Sequence, residues 1–352
     1  MPNAAIFKTS LDVLYYSGAS AVLRNVFEGI GAIFMLHHVY PGGGLQRGFA
    51  PNAGIELTPE FLDQVIVSVK QQGFDLVTLD EAVRRIETPG RAARPFAAFT
   101  LDDGYRDNFV HAKPVFDKHD CPYTIFVAPA ITDGDCQLWW RGLELAIART
   151  SRIEAGIGGE YLSLPAGTAE EKQQAWSRLY WPVRRLDQHY QRRWIADFCA
   201  SHGVDLAKIC TEAAMTWDEL RLISRDPLCS LEAHTINHFA VRQLSDEEAL
   251  AEMTGSADRI EAELGRRPQF LAYPYGDEAS AGPRDFALAT KAGFRAAVTT
   301  RKGMIYAGHQ AHLTALPRVS LSGNFQKLRY IKTLMTGLPF VMFNGLRTLH
   351  VS

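Results

Sequence analysis

Five cysteines in 352 residues, Cys121, Cys136, Cys199, Cys210 and Cys229, include no C-x-x-C pair and make an odd total. That excludes a cysteine zinc site of the usual spacing and argues against a disulfide framework, so a reducing compartment fits best. No basic segment followed by an unbroken apolar run opens the chain, and residues 11–36 are interrupted by Asp12, Arg24 and Glu28. The expectation is neither a signal peptide nor a spanning helix, and a location in the cytoplasm or at the inner face of the membrane. An excess of either charge is also lacking. Lys and Arg number 37 against 39 Asp and Glu, which leaves no electrostatic footprint for nucleic acid. One local deficit runs the other way: no acidic residue follows Asp285, whereas Lys291, Arg295, Arg301, Lys302, Arg318, Lys327, Arg329, Lys332 and Arg347 are positive.

A hydrophobic content of 47% is enough for one large core, or for one domain carrying a major insertion. Apolar runs alternate with amphipathic stretches, the pattern of strands followed by helices in a mostly parallel α/β architecture. Residues 32–39, 75–79, 96–101, 122–129, 269–273 and 295–300 read as strands. Thr58-Pro59-Glu60 places a cap and a first-turn proline before a helix that runs to Gly73. Ser245 and Glu248 form a capping box for a helix ended by Gly265. Residues 136–225 break this rhythm, hold all six tryptophans and read as a mainly helical insertion. Tryptophans at helical spacing, such as Trp176 and Trp194, are expected in its core. Trp139 and Trp140, which follow a strand and its loop, are the candidates for stacking on a sugar ring.

Polar motifs fall just after the strand ends: His37-His38, Asp102-Asp103-Gly104, His234-Thr235-Ile236-Asn237-His238 and Tyr273-Pro274-Tyr275-Gly276. A β/α barrel gathers its catalytic groups there, and so does an open sheet at its switch point, so periodicity alone does not decide closure. Driving Asp102 and Asp103 to the edge of a core is costly unless a cation sits there. An aspartate with two histidines four residues apart is a ligand set for a catalytic divalent metal with open positions. Taken singly, Asp-Asp-Gly is more often a turn and a lone His-x-x-x-His is weak; their joint placement after apolar runs points to a metal site.

Thr100-Leu101-Asp102-Asp103-Gly104 resembles the first motif of the polysaccharide deacetylases (carbohydrate esterase family 4). His234 to His238 is similar to the second motif and Tyr273-Pro274-Tyr275-Gly276 to the third, in matching order and spacing. Met35-Leu36-His37-His38-Val39 resembles the approach in the branch with an N-terminal extension. The resemblance runs from about Ile33 to Ser320 and implies a distorted (β/α) barrel that removes N-acetyl groups from amino sugars with a divalent metal, zinc first and cobalt or nickel as alternatives. It implies Asp103, His234 and His238 as metal ligands, Asp102 as general base, and the backbone N–H of Tyr275 as the donor to the oxyanion. The family's arginine of the third motif, which orients the catalytic aspartate, is replaced by Tyr273, and Arg318 is the candidate to take its task. The family's Asp-Trp and late Leu-x-His motifs are not found. His37 is the first candidate for general acid, with His312 second and His38 a neighbour pointing the other way. Tyr273, Tyr275, Arg318 and Trp139 are expected to bind substrate.

The expected organisation is a helical extension over residues 1–31, a barrel over 32–320 with its insertion at 136–225, and a basic amphipathic helix and tail over 321–352. Phe325, Leu328, Ile331, Leu334 and Met335 form an apolar stripe near Lys327, Arg329 and Lys332. Packing on the barrel is the favoured reading of that stripe, and contact with an anionic membrane surface the alternative. The expected substrate is an oligosaccharide, polysaccharide precursor or glycolipid. Deformylation of a lipid-linked formamido sugar and an inactive carbohydrate-binding relative are the other readings.

Overall fold

A computed structural model describes residues 4–42, 48–90 and 94–351. Its centre is a closed barrel of seven parallel strands: β1 (Gly31–Leu36), β2 (Phe96–Leu101), β3 (Tyr123–Val127), β4 (Cys229–Ala233), β5 (Phe270–Ala272), β6 (Ala296–Lys302) and β7 (Leu316–Ser320). The strands follow one another around the ring in chain order. Closure comes from β1, which pairs with β7 on one side and with β2 on the other, from Gly31 opposite Phe96 to Leu36 opposite Leu101. The run expected at 75–79 yields only the two-residue strand Asp75–Leu76 beside the start of β2. Thr78 ends it by accepting from the Glu81 N–H, which caps a helix over Leu79–Glu87.

Strand alternation sorts the side chains into two cores. Ile33, Phe96, Ala98, Phe126, Phe270, Ala272, Val298 and Leu316 fill the barrel, and Val83 and Ile86 of helix Leu79–Glu87 close its N-terminal end. Phe34, Phe99, Leu101, Leu271 and Val319 point outward against helices Pro59–Gln71, Asp246–Leu264, Pro283–Lys291 and Leu328–Leu334. Both capping expectations hold: Thr58 accepts from the Phe61 N–H, and Ser245 with Glu248 closes a reciprocal box before a helix that ends at left-handed Gly265.

The segment between β3 and β4 builds a third core of its own around Trp139, Trp176, Leu179, Trp194 and Ile195. Besides five longer helices it contains an antiparallel hairpin, Arg152–Ile157 with Glu160–Pro165, that the mainly helical reading missed. Ile153, Ala155 and Ile157 are buried in alternation, and Gly158-Gly159 supplies the two positive φ angles that a tight hairpin turn requires. At the end of the chain, Tyr330, Ile331, Leu334 and Met335 are buried against the barrel, so the basic stripe is a packing face. Helix Ala4–Tyr16 lies on helix Leu328–Leu334, with Arg329 paired to Asp12.

Candidate active site

The motif residues sit where β-ladders end. The Asp102 N–H donates to the Leu36 carbonyl and the His234 N–H to that of Val127, so each motif begins as the last rung of a strand pair. The period of two then aims the side chains. His37 continues the inward set of Ile33, Asp102 that of Phe96, Ala98 and Thr100, and Arg318 that of Leu316. Four of the six non-glycine residues with positive φ among those described, Asp103, Thr235, His238 and Tyr275, lie in these loops. Such backbone persists only where its surroundings over-determine it, and clusters where side-chain geometry matters more than local comfort.

Asp103, His234 and His238 converge. Asp103 Oδ1 lies 3.2 Å from His234 Nε2 and 3.1 Å from His238 Nε2, all three side chains being buried. His234 Nδ1 donates to the Ala272 carbonyl at 2.7 Å, which leaves its Nε2 as the lone-pair atom in the neutral ring. Burial pushes the His238 pKa down to about 4, so this imidazole is neutral at ordinary pH. For His234 burial acts the same way, but the Asp103 carboxylate 3.2 Å from its Nε2 and the charge of Asp102 outweigh it and raise the pKa. The pocket therefore recruits positive charge. Asp103 Oδ1 has no hydrogen-bond partner among the described residues. One carboxylate oxygen and two imidazole nitrogens facing a common point, with the oxygen otherwise unsatisfied, fit a divalent cation.

Asp102 faces the same space without joining the cluster. Arg318, wholly buried, donates from Nη1 to Oδ1 and from Nη2 to Oδ2, both at 2.7 Å, and is itself held by Thr100 Oγ1 and the Thr299 carbonyl. Burial raises the Asp102 pKa, but the Arg318 charge and its two hydrogen bonds overcome that and hold the carboxyl below its ordinary value. His37 Nε2 is 3.9 Å from Asp102 Oδ2, and burial lowers its pKa against the pull of Asp102 and Asp103.

A family model for polysaccharide deacetylases matches residues 163–297, which include the second and third motifs. That stretch, less than half of the chain, is similar to a polysaccharide deacetylase domain. In space the barrel takes in Asp102 and Asp103 before that stretch and Arg318 after it. Solved structures similar to it include the deacetylase PplD of Streptococcus pyogenes in complex with acetate, at 17% identity and a TM-score of 0.57 over 86% of this chain and 97% of that one. A de-N-acetylase from Aggregatibacter actinomycetemcomitans gives 12% and 0.54, over 86% and 98%. IcaB from Ammonifex degensii gives 16% and 0.53, over 87% and 98%. At such identities the likeness shows the fold. A comparison with curated protein sequences finds no match.

The structure brings together Asp102, Asp103, His234, His238, His37, Arg318 and Tyr275, and leaves others out. Tyr273 follows the outward set of Leu271 and is wholly buried, its hydroxyl donating to the Thr314 carbonyl at 2.9 Å. It therefore takes no place among the substrate contacts expected of it. Trp139, expected to stack on sugar, is also wholly buried; its indole N–H donates to the Tyr275 hydroxyl at 2.7 Å, so it reaches the site through Tyr275. Trp140 is nearer, with its ring 5.2 Å from that of His238. His38 does point the other way, donating from Nδ1 to Asp107 and stacking on Tyr105. His312 precedes β7 and so lies at the opposite end of the barrel.

Three supporting residues escaped the sequence reading. Glu252 accepts from the Asn237 N–H and side-chain amide and so holds the loop between the two histidines. Arg192 donates to the Asn237 and Gln137 carbonyls, and Arg184 stacks 3.5 Å from the Tyr275 ring. Glu252 left a signal, an acid on the apolar face of Ala249 and Met253. The arginines left none, because their partners, backbone carbonyls for Arg192 and the Tyr275 ring, Ser280 and Asp277 for Arg184, are distant in sequence.

Proposed function

We propose that this protein is a metal-dependent hydrolase removing the N-acetyl group from amino-sugar units of an oligosaccharide, polysaccharide precursor or glycolipid. The observation that carries the reading is the division of labour between adjacent aspartates: Asp103 faces the Nε2 atoms of two imidazoles, while Asp102 is kept out of that cluster and held ionised by Arg318. Asp103, His234 and His238 would hold the ion, zinc in the first instance. A divalent ion bound there supplies a Lewis acid that polarises the amide carbonyl and makes an attacking water more acidic.

The chain's own groups supply the rest. Asp102 takes the proton from water as it adds to the carbonyl carbon. The Tyr275 backbone N–H is the proposed donor to the oxygen that gains charge, its loop fixed by the Thr300 hydroxyl on the Tyr275 carbonyl and by Arg184 against the ring. His37 gives a proton to the departing nitrogen, after which the C–N bond breaks to leave a free amine and a carboxylic acid. Over a turnover the proton gained by Asp102 and the one lost by His37 balance. Five free thiols, four of them buried, support a place in the cytoplasm as part of this proposal.

The test is acyl release from N-acetylated oligosaccharides and lipid-linked N-acetylhexosamines by chelated protein resupplied with zinc, cobalt or nickel. The expected result is one acetate per amine exposed, only after metal is restored. Formate from formamido sugars with no acetate from acetamido ones would make the protein a deformylase. Saturable sugar binding with no acyl release at any metal would make it a binding protein.

A further inference from the structure

The C-terminal stripe packs inward, yet the molecule exposes apolar side chains elsewhere. On helix Ala4–Tyr16 the outward positions Ile6, Val13 and Tyr16 follow helical spacing and are 59%, 60% and 73% exposed. The short helices that follow continue the face with Val22 and Val26, 81% and 66% exposed. Apart from Lys8, the charges of this segment are already committed: Asp12 pairs with Arg329, and Arg24 with Glu28. A monomeric soluble protein rarely leaves so much contiguous apolar surface without a partner.

A second observation says what kind of partner. Phe7 of the same helix meets Phe325 and Phe343 at ring-centroid distances of 5.3 and 4.8 Å, and Phe343 is itself half exposed. Lys8 lies over the Phe325 ring, Lys302 over Phe7 and Lys327 over Tyr330, and among the described residues none of the three pairs with a carboxylate. An exposed apolar helix face with half-exposed Phe343 and lysines seated on the packed rings beneath is complementary to an anionic bilayer surface, Ile6, Val13, Tyr16 and Phe343 entering the acyl boundary and the ammonium groups meeting phosphates. No helix of the described residues is long and apolar enough to cross a membrane. Lys302 ends β6, at the end of the barrel where the site lies.

We propose that helix Ala4–Tyr16, with residues 19–27 and the Phe7–Phe325–Phe343 cluster, is a docking surface for an anionic lipid bilayer, and that it sets the barrel mouth beside the headgroup region. The substrate half of this inference, a saccharide carried on a lipid, rests on the proposed deacetylation; the docking half does not. Docking raises the local concentration of a lipid-linked substrate without any new contact in the cleft.

Co-sedimentation of the full chain with vesicles tests it, using phosphatidylcholine alone and with one third phosphatidylglycerol. The expected result is binding to the anionic vesicles that weakens about tenfold or more between low and high salt and in the double variant Val13→Asp, Tyr16→Asp. Turnover of a soluble acetylated oligosaccharide should be unchanged in that variant. Absence of binding to anionic vesicles, undiminished binding by the variant, or a wild-type dimer that the variant splits while neither form binds vesicles, overturns the inference. If this variant fails to melt cooperatively, Val22→Asp with Val26→Asp gives the same readout. Vesicle binding with no acyl release from any substrate would defeat the deacetylase reading and leave the docking surface standing.

Discussion

Arg318 grips Asp102 through two parallel hydrogen bonds of 2.7 Å across 216 positions of sequence, from the middle of the last barrel strand to the end of the second. Neither side chain is accessible to water to any extent that matters. The pair thus decides both the ionisation and the orientation of the proposed base.

Removing Arg318 should therefore cost more than a charge. Arg318→Met leaves a buried carboxylate alone and is expected to destabilise the fold by about 3–5 kcal/mol. Without the arginine the Asp102 pKa rises, and because the base works only when ionised, the acid limb of the rate profile should move to higher pH. Arg318→Lys keeps the charge but loses the fork, and should restore stability better than rate. Urea unfolding and kcat against pH separate these effects; an unmoved acid limb in Arg318→Met would break the link between the two residues.

His37 makes a different prediction because its proposed task is confined to the leaving group. His37→Gln should lower turnover of an acetamido sugar by roughly a hundredfold or more. Hydrolysis of an acetate ester with a nitrophenolate leaving group, which departs without a proton, should fall far less. Equal losses on both substrates would mean that His37 positions Asp102 and donates nothing.

The barrel was legible because its strands are buried and parallel, so Phe96–Leu101 and its relatives stand out as short apolar runs followed by polar motifs. Its closure was not legible, since β1 meets β2 and β7 through backbone atoms that leave no pattern in either strand. That an aspartate joins His234 and His238 could be read from residue type and spacing, and the resemblance singled out Asp103. The fate of Tyr273 could have been read as well: alternation from Leu271 points it outward, and resemblance to a motif hid that parity. Hairpin 152–165 was overlooked although Gly158-Gly159 between alternating segments announced it.

A stability test comes from far outside the site. His309 is wholly buried, accepts the Tyr306 N–H on Nδ1, and is pushed by burial to a pKa of about 4. Its folded pKa is depressed below the unfolded value, so folding is favoured above the unfolded pKa of 6.5 and loses that support as pH falls towards 4. By pH 5 the loss should be about 2 kcal/mol, and His309→Gln should flatten this part of the stability curve. Urea unfolding at pH 7.5 and 5.0 measures it; identical slopes for both proteins would show that the histidine is not buried neutral.

The central claim is that Asp103, His234 and His238 hold one ion while the adjacent Asp102 serves as base. It is tested most directly by measuring bound metal and acetate release together for wild type, Asp102→Asn and His234→Ala. Wild type should carry one ion per chain and turn over. Asp102→Asn should keep that ion while losing roughly a hundredfold to ten-thousandfold in rate, and His234→Ala should lose both. Full activity in Asp102→Asn, or an undiminished ion in His234→Ala, would contradict the account.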